Sequence, residues 1–237
     1  MRFDGRKDDE LRELEAKVGV LHNADGSAYF RMGKTVALAA VYIKPAKSER
    51  GILETRYHML PFSASERKSL GISRREMELS YVIGKALEPA IFLDELPNTK
   101  IEATIEILQA DAGTRVTAIN ALSLALAMAG IPMKALVGAV AVGKVGSRLV
   151  VDLNKKEEDY DSEKIKNNPE LKEFYEYYGE GEATDLPIAM YKSKITLMQM
   201  DGKVSTKEIS KLVEIAEQAI KEINKIQREA VEDYYNQ

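Results

Sequence analysis

Apolar and polar residues alternate from Lys100 to Leu108. Ile101, Ala103, Ile105 and Ile107 fall on one side, and Lys100, Glu102, Thr104 and Glu106 on the other. A period of two predicts a strand with one buried face. Lys17–Leu21, Ala28–Met32, Thr35–Lys44 and Glu54–Leu60 predict further strands, with Asp25-Gly26 and Gly33-Lys34 where hairpin turns belong. Between the last two, Pro45, Ser48 and Gly51 predict an exposed loop. The period changes after Ser73, an N-cap residue type. Met77, Val82, Ile83, Leu87 and Ile91 then recur at near-helical spacing and predict a helix to about Phe92. A second helix, Val116–Ala129, is apolar nearly all round and rich in alanine, which predicts burial and close packing. Gly130 caps it and Pro132 follows.

The second half repeats the order. Leu136–Val142, Arg148–Asp152, Leu186–Tyr191 and Lys194–Met200 predict strands, the last ending at Asp201-Gly202. Ser205 with Glu208 forms a capping box. The helix it opens runs past Ile223, with Ile209, Leu212, Val213, Ala216, Ile220 and Ile223 on its apolar face. The pattern predicts an α+β fold: two βα subdomains, residues 1–135 and 136–237, in one compact unit meeting near Met133–Leu136. The chain carries no Walker phosphate loop and no dinucleotide fingerprint.

Composition narrows the chemistry. The absence of cysteine excludes disulfides, thiol nucleophiles and cysteine-based zinc sites. Two histidines, His22 and His58, are too few for a histidine-rich metal site. No apolar run reaches the roughly 18 residues of a membrane span, and Met1–Glu15 is too charged for a secretory signal, so the expectation is a cytoplasmic protein without membrane contact. The net charge of −4 hides an asymmetry. Lys44–Arg75 holds eight basic and three acidic residues, whereas Lys155–Asp185 holds five basic and eleven acidic. That contrast suits a site gripping RNA phosphates beside carboxylates, and equally suits a solvated loop beside a solvated helix.

Gln109-Ala110-Asp111-Ala112-Gly113-Thr114-Arg115 joins the alternating strand to the buried helix. Glycine permits close backbone approach, and a hydroxyl and a guanidinium follow at a helix N-terminus, where free N–H groups favour an anion. Alone, the run also reads as a strand-to-helix turn with an incidental arginine. It stands, however, in an ordered series: Arg2-Phe3-Asp4-Gly5-Arg6-Lys7, Asp9-Glu10-Leu11-Arg12, Ala24-Asp25-Gly26-Ser27-Ala28, Arg56-Tyr57-His58-Met59-Leu60-Pro61-Phe62-Ser63, Ser73-Arg74-Arg75-Glu76 and Asp185-Leu186-Pro187-Ile188-Ala189-Met190. From Arg2 to about Glu229 this series resembles the RNase PH family of phosphorolytic exoribonucleases and, within it, the catalytic ring subunits of archaeal exosomes.

The resemblance implies an RNase PH-like fold, of the ribosomal protein S5 domain 2-like type, and a 3′→5′ exoribonuclease. Such an enzyme uses inorganic phosphate as co-substrate, releases nucleoside diphosphates and runs backwards to add 3′ tails. It assigns phosphate binding to Gly113, Thr114 and Arg115, and RNA backbone contacts to Arg74 and Arg75, with Arg67, Lys47 and Arg50 near them in the basic stretch. Asp185 is the expected catalytic acid. A second aspartate normally stands six positions earlier, where this chain has Gly179. The matching Glu158-Asp159 lies before an extra segment, roughly 161–178, expected to be a surface excursion whose ends return to nearly the same place and leave Asp159 near Asp185; where they do not, Asp161, Glu180 or Glu182 substitutes. Asp185 and Asp159 are also the candidate ligands for Mg2+. Tyr57 reads as core and His58 as structural. The implied partners are single-stranded RNA, a related inactive subunit in a hexameric ring of three heterodimers, and RNA-binding cap subunits. A stand-alone RNase PH trimming tRNA 3′ ends and a non-catalytic ring subunit are the alternatives.

Overall fold

The computed structural model describes residues 1–67 and 71–236; Lys68, in the basic stretch, lies outside them. The first half builds a sheet from β1 (Leu14–Val18), β2 (Gly26–Met32), β3 (Thr35–Pro45), β4 (Ile52–Met59) and β5 (Thr99–Gln109), in the order β1-β2-β3-β5-β4. Only β4 and β5 run parallel. A parallel pair needs a crossover, and α1 (Arg74–Leu87) lies within it. The alternating residues behave as expected: Ile101, Ala103, Ile105 and Ile107 are buried. Then α2 (Thr114–Met128) packs on β2 and β3 and also touches β6 of the second half. Covered on both sides, it is buried from Val116 to Leu126.

The second half contains β6 (Gly138–Val145), β7 (Arg148–Val151), α3 (Lys155–Glu158), α4 (Ser162–Ile165), α5 (Lys172–Tyr178), β8 (Ala183–Tyr191), β9 (Lys194–Met198) and α6 (Thr206–Tyr235). Its antiparallel sheet has the order β7-β6-β8-β9. Asn120 of α2 stitches the halves together. Its amide donates to the Ala139 carbonyl at 2.8 Å and accepts from the Ala139 N–H at 2.7 Å. The expected capping box of Ser205 with Glu208 forms, and Ser73, expected as an N-cap, forms one with Glu76 as well.

Element ends depart from the hydropathy pattern for local reasons. β1 ends at Val18 because Gly19 turns the chain with φ 68°. α1 stops at Leu87, two residues before Pro89, which cannot donate into a helix; a 3-10 turn, Glu88–Ala90, carries the chain on to buried Ile91. β8 starts at Ala183, three residues before its apolar run, because Ala183, Thr184 and Asp185 already pair with Val145, Lys144 and Gly143.

The extra segment leaves the body and returns to the same place. Asp161 bridges to Glu182, Ser162 N–H donates to Gly181 O at 3.0 Å, and Ala183 N–H donates to Tyr160 O at 3.0 Å. Its aromatics are not left in water. Tyr178 is buried with Val145, Val150, Leu153 and Tyr160 in a small second core, and Phe3, Phe174 and Tyr177 pack around it. The Tyr178 hydroxyl donates to Glu157 Oε1 at 2.7 Å, and Glu157 takes two bonds from Arg2, each 2.7 Å. Arg2 and Glu157 are fully buried. Such a pair stabilises only when its remaining donors are satisfied. Here Lys7 O, Val151 O and Asp152 O accept them at 3.0, 2.9 and 3.2 Å. The first residues of the chain are thereby fastened to the acidic segment.

Candidate active site

A cleft of about 450 Å³ opens where the two halves meet. The start of α1 contributes Arg75 and Glu78, the start of α2 Arg115, the end of α3 Glu158, the start of β8 Asp185, and the turn after β9 Gln199 and Asp201; Glu182 also lines it. Thus Arg115 and Asp185, 70 positions apart by number, face one space. A larger depression of about 780 Å³ lies between residues 7–14 and α6. Its lining sets Asp9, Glu10, Glu13 and Glu222 against Lys7 and Arg12, and Arg12 is already committed to Asp152, so the acids outweigh what it offers a phosphate.

The approach to α2 is bent by two successive left-handed residues, Ala112 (φ 60°) and Gly113 (φ 65°). For alanine this conformation is strained, and Thr35 holds it. The Thr35 hydroxyl donates to Ala112 O at 2.6 Å and accepts from Asp111 N–H at 2.9 Å. Arg12 braces the same turn, donating to Asp111 O at 2.5 Å while its guanidinium grips buried Asp152 at 2.7 and 2.9 Å. Burial alone would raise the Asp152 carboxyl; Arg12 holds it below its ordinary value. Gly113 is the N-cap and supplies no side-chain cap, so no side chain competes for the first N–H groups of α2. Thr114 Oγ1 accepts from the Tyr57 hydroxyl at 2.9 Å. Burial pushes the Tyr57 phenol up to about 12, so it remains a donor near neutrality. Tyr57 is therefore core, as its strand position suggests, with its tip set on the threonine. His58 is engaged with Glu106 at 2.7 Å.

Arg115 donates through Nη1 to Gln199 Oε1, while its Nε is buried without a partner among the described residues. Burial lowers the Arg115 pKa, Asp185 opposes that, and Arg75 adds repulsion. Asp185 exchanges backbone hydrogen bonds with Asp201 at 2.9 and 3.0 Å. Burial first, then nearby Glu158, push its carboxyl up to about 7 against the pull of Arg115; Asp201 adds to the rise and Arg75 opposes it. A carboxylic acid that changes charge near neutrality can act as a proton donor and acceptor there.

The expected residues do not all converge. Arg115, Asp185 and Arg75 line the cleft; Arg74, Arg67, Lys47 and Arg50 are exposed and are not among its lining residues. Arg50 pairs with Asp94 at 3.4 Å. The two acids of the Glu158-Asp159 pair face differently. Glu158 lines the cleft, whereas the Asp159 side chain is 60 % exposed and accepts from Lys155 Nζ at 2.7 Å, one helical turn back. Among the described residues, no group of three or more histidines or acids is placed to hold a metal ion. Of the pair expected to share Mg2+, Asp185 lines the cleft and Asp159 is not among its lining residues, although the Asp159 and Glu158 carboxylates share the Lys155 ammonium at 2.7 and 3.0 Å. Sequence reasoning did not single out Gln199, Asp201, Glu78 or the brace from Arg12 as members of the site. Arg12 stands in the Asp9-Glu10-Leu11-Arg12 block, which does not say what it braces; no short motif marks the others, of which Glu78 arrives on α1 and Gln199 and Asp201 through the turn after β9.

Comparison with known proteins agrees with this architecture. The model of the 3′ exoribonuclease family, domain 1, matches residues 10–132, and that of domain 2 matches residues 135–219. The chain is 48% identical over 243 residues to the exosome complex component Rrp41 of Thermococcus kodakarensis, covering 99% of this chain and 89% of that protein. It is 43% identical over 244 residues to the Rrp41 of Methanopyrus kandleri, covering 99% and 93%. Among solved structures, rice (Oryza sativa) Rrp46 superposes with a TM-score of 0.78 at 24% identity, covering 96% of this chain and 98% of that one. A chain of the Archaeoglobus fulgidus exosome with RNA bound to the active site gives 0.75 at 20%, covering 94% and 91%. At such identity these two likenesses speak for the fold.

Proposed function

Because this chain belongs to the RNase PH family of 3′ exoribonucleases, we propose that it is the catalytic ring subunit of an exosome, degrading single-stranded RNA from the 3′ end by phosphorolysis. The observation that carries this reading is the meeting of Arg115 and a near-neutral Asp185 in one cleft. Inorganic phosphate binds at Gly113, Thr114 and Arg115, where the uncapped start of α2 and the guanidinium offset its charge. Arg75 holds the RNA phosphate beside it, with Arg74 and the exposed basic residues Arg67, Lys47 and Arg50 along the approach.

A phosphate oxygen attacks the terminal phosphorus, and the bond from phosphorus to the ribose 3′ oxygen breaks. Protonated Asp185 delivers its proton to that departing oxygen, and the nucleoside diphosphate leaves. Glu158 keeps Asp185 protonated rather than touching substrate itself. In reverse, ionised Asp185 takes the proton from a 3′ hydroxyl that attacks a nucleoside diphosphate, and RNA grows. The presence of both Arg115 and Asp185 favours a catalytic over a purely RNA-gripping subunit.

The names of the curated relatives, exosome complex components, support an assembly; a ring, a related inactive subunit and a cap are further parts of this proposal. The test is degradation of an unstructured RNA by the chain alone and with its paired subunit, with and without phosphate. Nucleoside diphosphates formed only with phosphate are expected. Nucleoside monophosphates formed without it would overturn the reading.

A further inference from the structure

Arg115 is held by one side chain, and that side chain is a glutamine. Gln199 Oε1 accepts from Arg115 Nη1. Among the described residues Arg115 has no other hydrogen-bond partner, and its Nε is buried unpaired. Gln199 is itself well anchored. It lies just past β9, and its N–H donates to Pro187 O at 3.3 Å. Two residues on, Asp201 exchanges both backbone hydrogen bonds with Asp185. The segment from Gln199 to Asp201 is therefore sewn to β8 on either side of Leu186, and one amide reaches across to α2.

We propose that Gln199 is a positioning residue for phosphorolysis: it sets the Arg115 guanidinium relative to Asp185, and it is neutral so that the arginine's charge remains available to inorganic phosphate. The proposal rests on the phosphorolytic reading given above. Two chemical facts support the choice of residue. An amide oxygen accepts from a guanidinium without neutralising it, whereas a carboxylate in the same place would form a closed ion pair and compete with the incoming anion. The amide nitrogen of Gln199 is then forced to the other side, where it has no acceptor among the described residues, at the wall of the same cleft. One residue thus couples the cation that binds phosphate, on the first half, to the strand that carries the acid, on the second. Without it, a half-buried arginine whose Nε already lacks a partner loses its remaining one and is free to swing toward Asp185 or Glu158.

The experiment compares wild type, Gln199→Met and Gln199→Glu, in the assembly in which the wild type is active. Phosphate is varied at saturating unstructured oligoribonucleotide. RNA affinity without phosphate and thermal midpoint are measured on the same preparations. Gln199→Met keeps the side-chain length and removes the acceptor; the expected result is a rise of roughly tenfold or more in KM for phosphate, with RNA affinity nearly unchanged. Gln199→Glu keeps an acceptor at the same place and folds, yet is expected to raise KM for phosphate as well. An unchanged phosphate KM in Gln199→Met, even with a lower midpoint or kcat, means a merely structural role and overturns the proposal. A wild-type phosphate KM in Gln199→Glu overturns the argument from neutrality. Degradation by wild type that ignores phosphate overturns the phosphorolytic reading itself. That outcome is read from the wild-type arm and so is separable from failure of the variants.

Discussion

Replacing Asp185 with asparagine should make the protein more stable above neutral pH while abolishing its activity. Asp185 has its carboxyl raised from 3.8 to about 7 in the folded chain, chiefly by burial. Below pH 4 the carboxyl is protonated in both folded and unfolded states and contributes no difference. Between pH 4 and 7 the unfolded chain ionises first, so the folded state loses stability as pH rises. Above 7 the loss is constant. A tenfold change in an acid's ionisation constant corresponds to about 1.4 kcal/mol. Raising the carboxyl from 3.8 to about 7 therefore gives an upper figure of about 4 kcal/mol, and discounting for partial solvent contact leaves about 2–4 kcal/mol. Asparagine keeps the shape and never ionises. For a chain of 237 residues, with an unfolding entropy of about 2 cal/mol/K per residue, that corresponds to a midpoint about 4–8 °C higher at pH 8. Thermal melts of both proteins from pH 4 to 8 provide the assay. The two midpoints should converge near pH 4 and separate as pH rises. An equal difference at pH 4 and pH 8, or a lower midpoint for Asp185→Asn at pH 8, would refute this account of the site as a place where stability is given up for chemistry.

Four further outcomes are expected. With Asp185 acting as the acid, phosphorolysis should decline as pH rises through about 7, and Glu158→Gln, by removing a neighbouring negative charge, should move that decline to lower pH; an unmoved pH–rate profile would separate Glu158 from Asp185. Arg115→Ala should lose phosphate-dependent turnover yet bind RNA at low salt. Joint replacement of Arg74 and Arg75 should weaken RNA binding and flatten its salt dependence, as titrations at two salt concentrations would reveal. Arg2→Met should leave buried Glu157 with Arg6, 3.7 Å away, as its cation and cost at most about 3–5 kcal/mol in denaturant unfolding, whereas Tyr178→Phe, which removes one hydrogen bond to the same carboxylate, should cost about 1–3 kcal/mol.

Much of this molecule was readable from local chemistry. A period of two in Lys100–Leu108 needs only a half-buried strand to explain it, and that strand exists. Ser73 and Ser205 start helices because a hydroxyl followed by glutamate three residues later satisfies its own helix end, whatever lies beyond. The all-round apolar Val116–Ala129 could only be a helix covered on every side. Gly113-Thr114-Arg115 was legible as a strand-to-helix junction, and it stands at the uncapped start of α2 with Arg115 in the cleft. Tertiary structure decided what depends on direction. Glu158 and Asp159 are adjacent, and on a helix adjacent side chains point about 100° apart, so one residue's difference in packing chooses which acid faces Asp185. Glu157, locked on Arg2 and Tyr178, fixes that rotation, while the Lys155 ammonium holds both Glu158 and Asp159, at 3.0 and 2.7 Å. That the ends of the extra segment return to one place was expected from the intact motifs on both sides and the small entropic cost of closing a longer loop; the contacts that hold them were not. It is the bridge from Asp161 to Glu182 and the burial of Tyr178 that bring the ends together. Gln199 left no trace in the sequence. Its role exists only because β9 pairs with β8 in one register, placing an unremarked amide opposite an arginine 84 residues away.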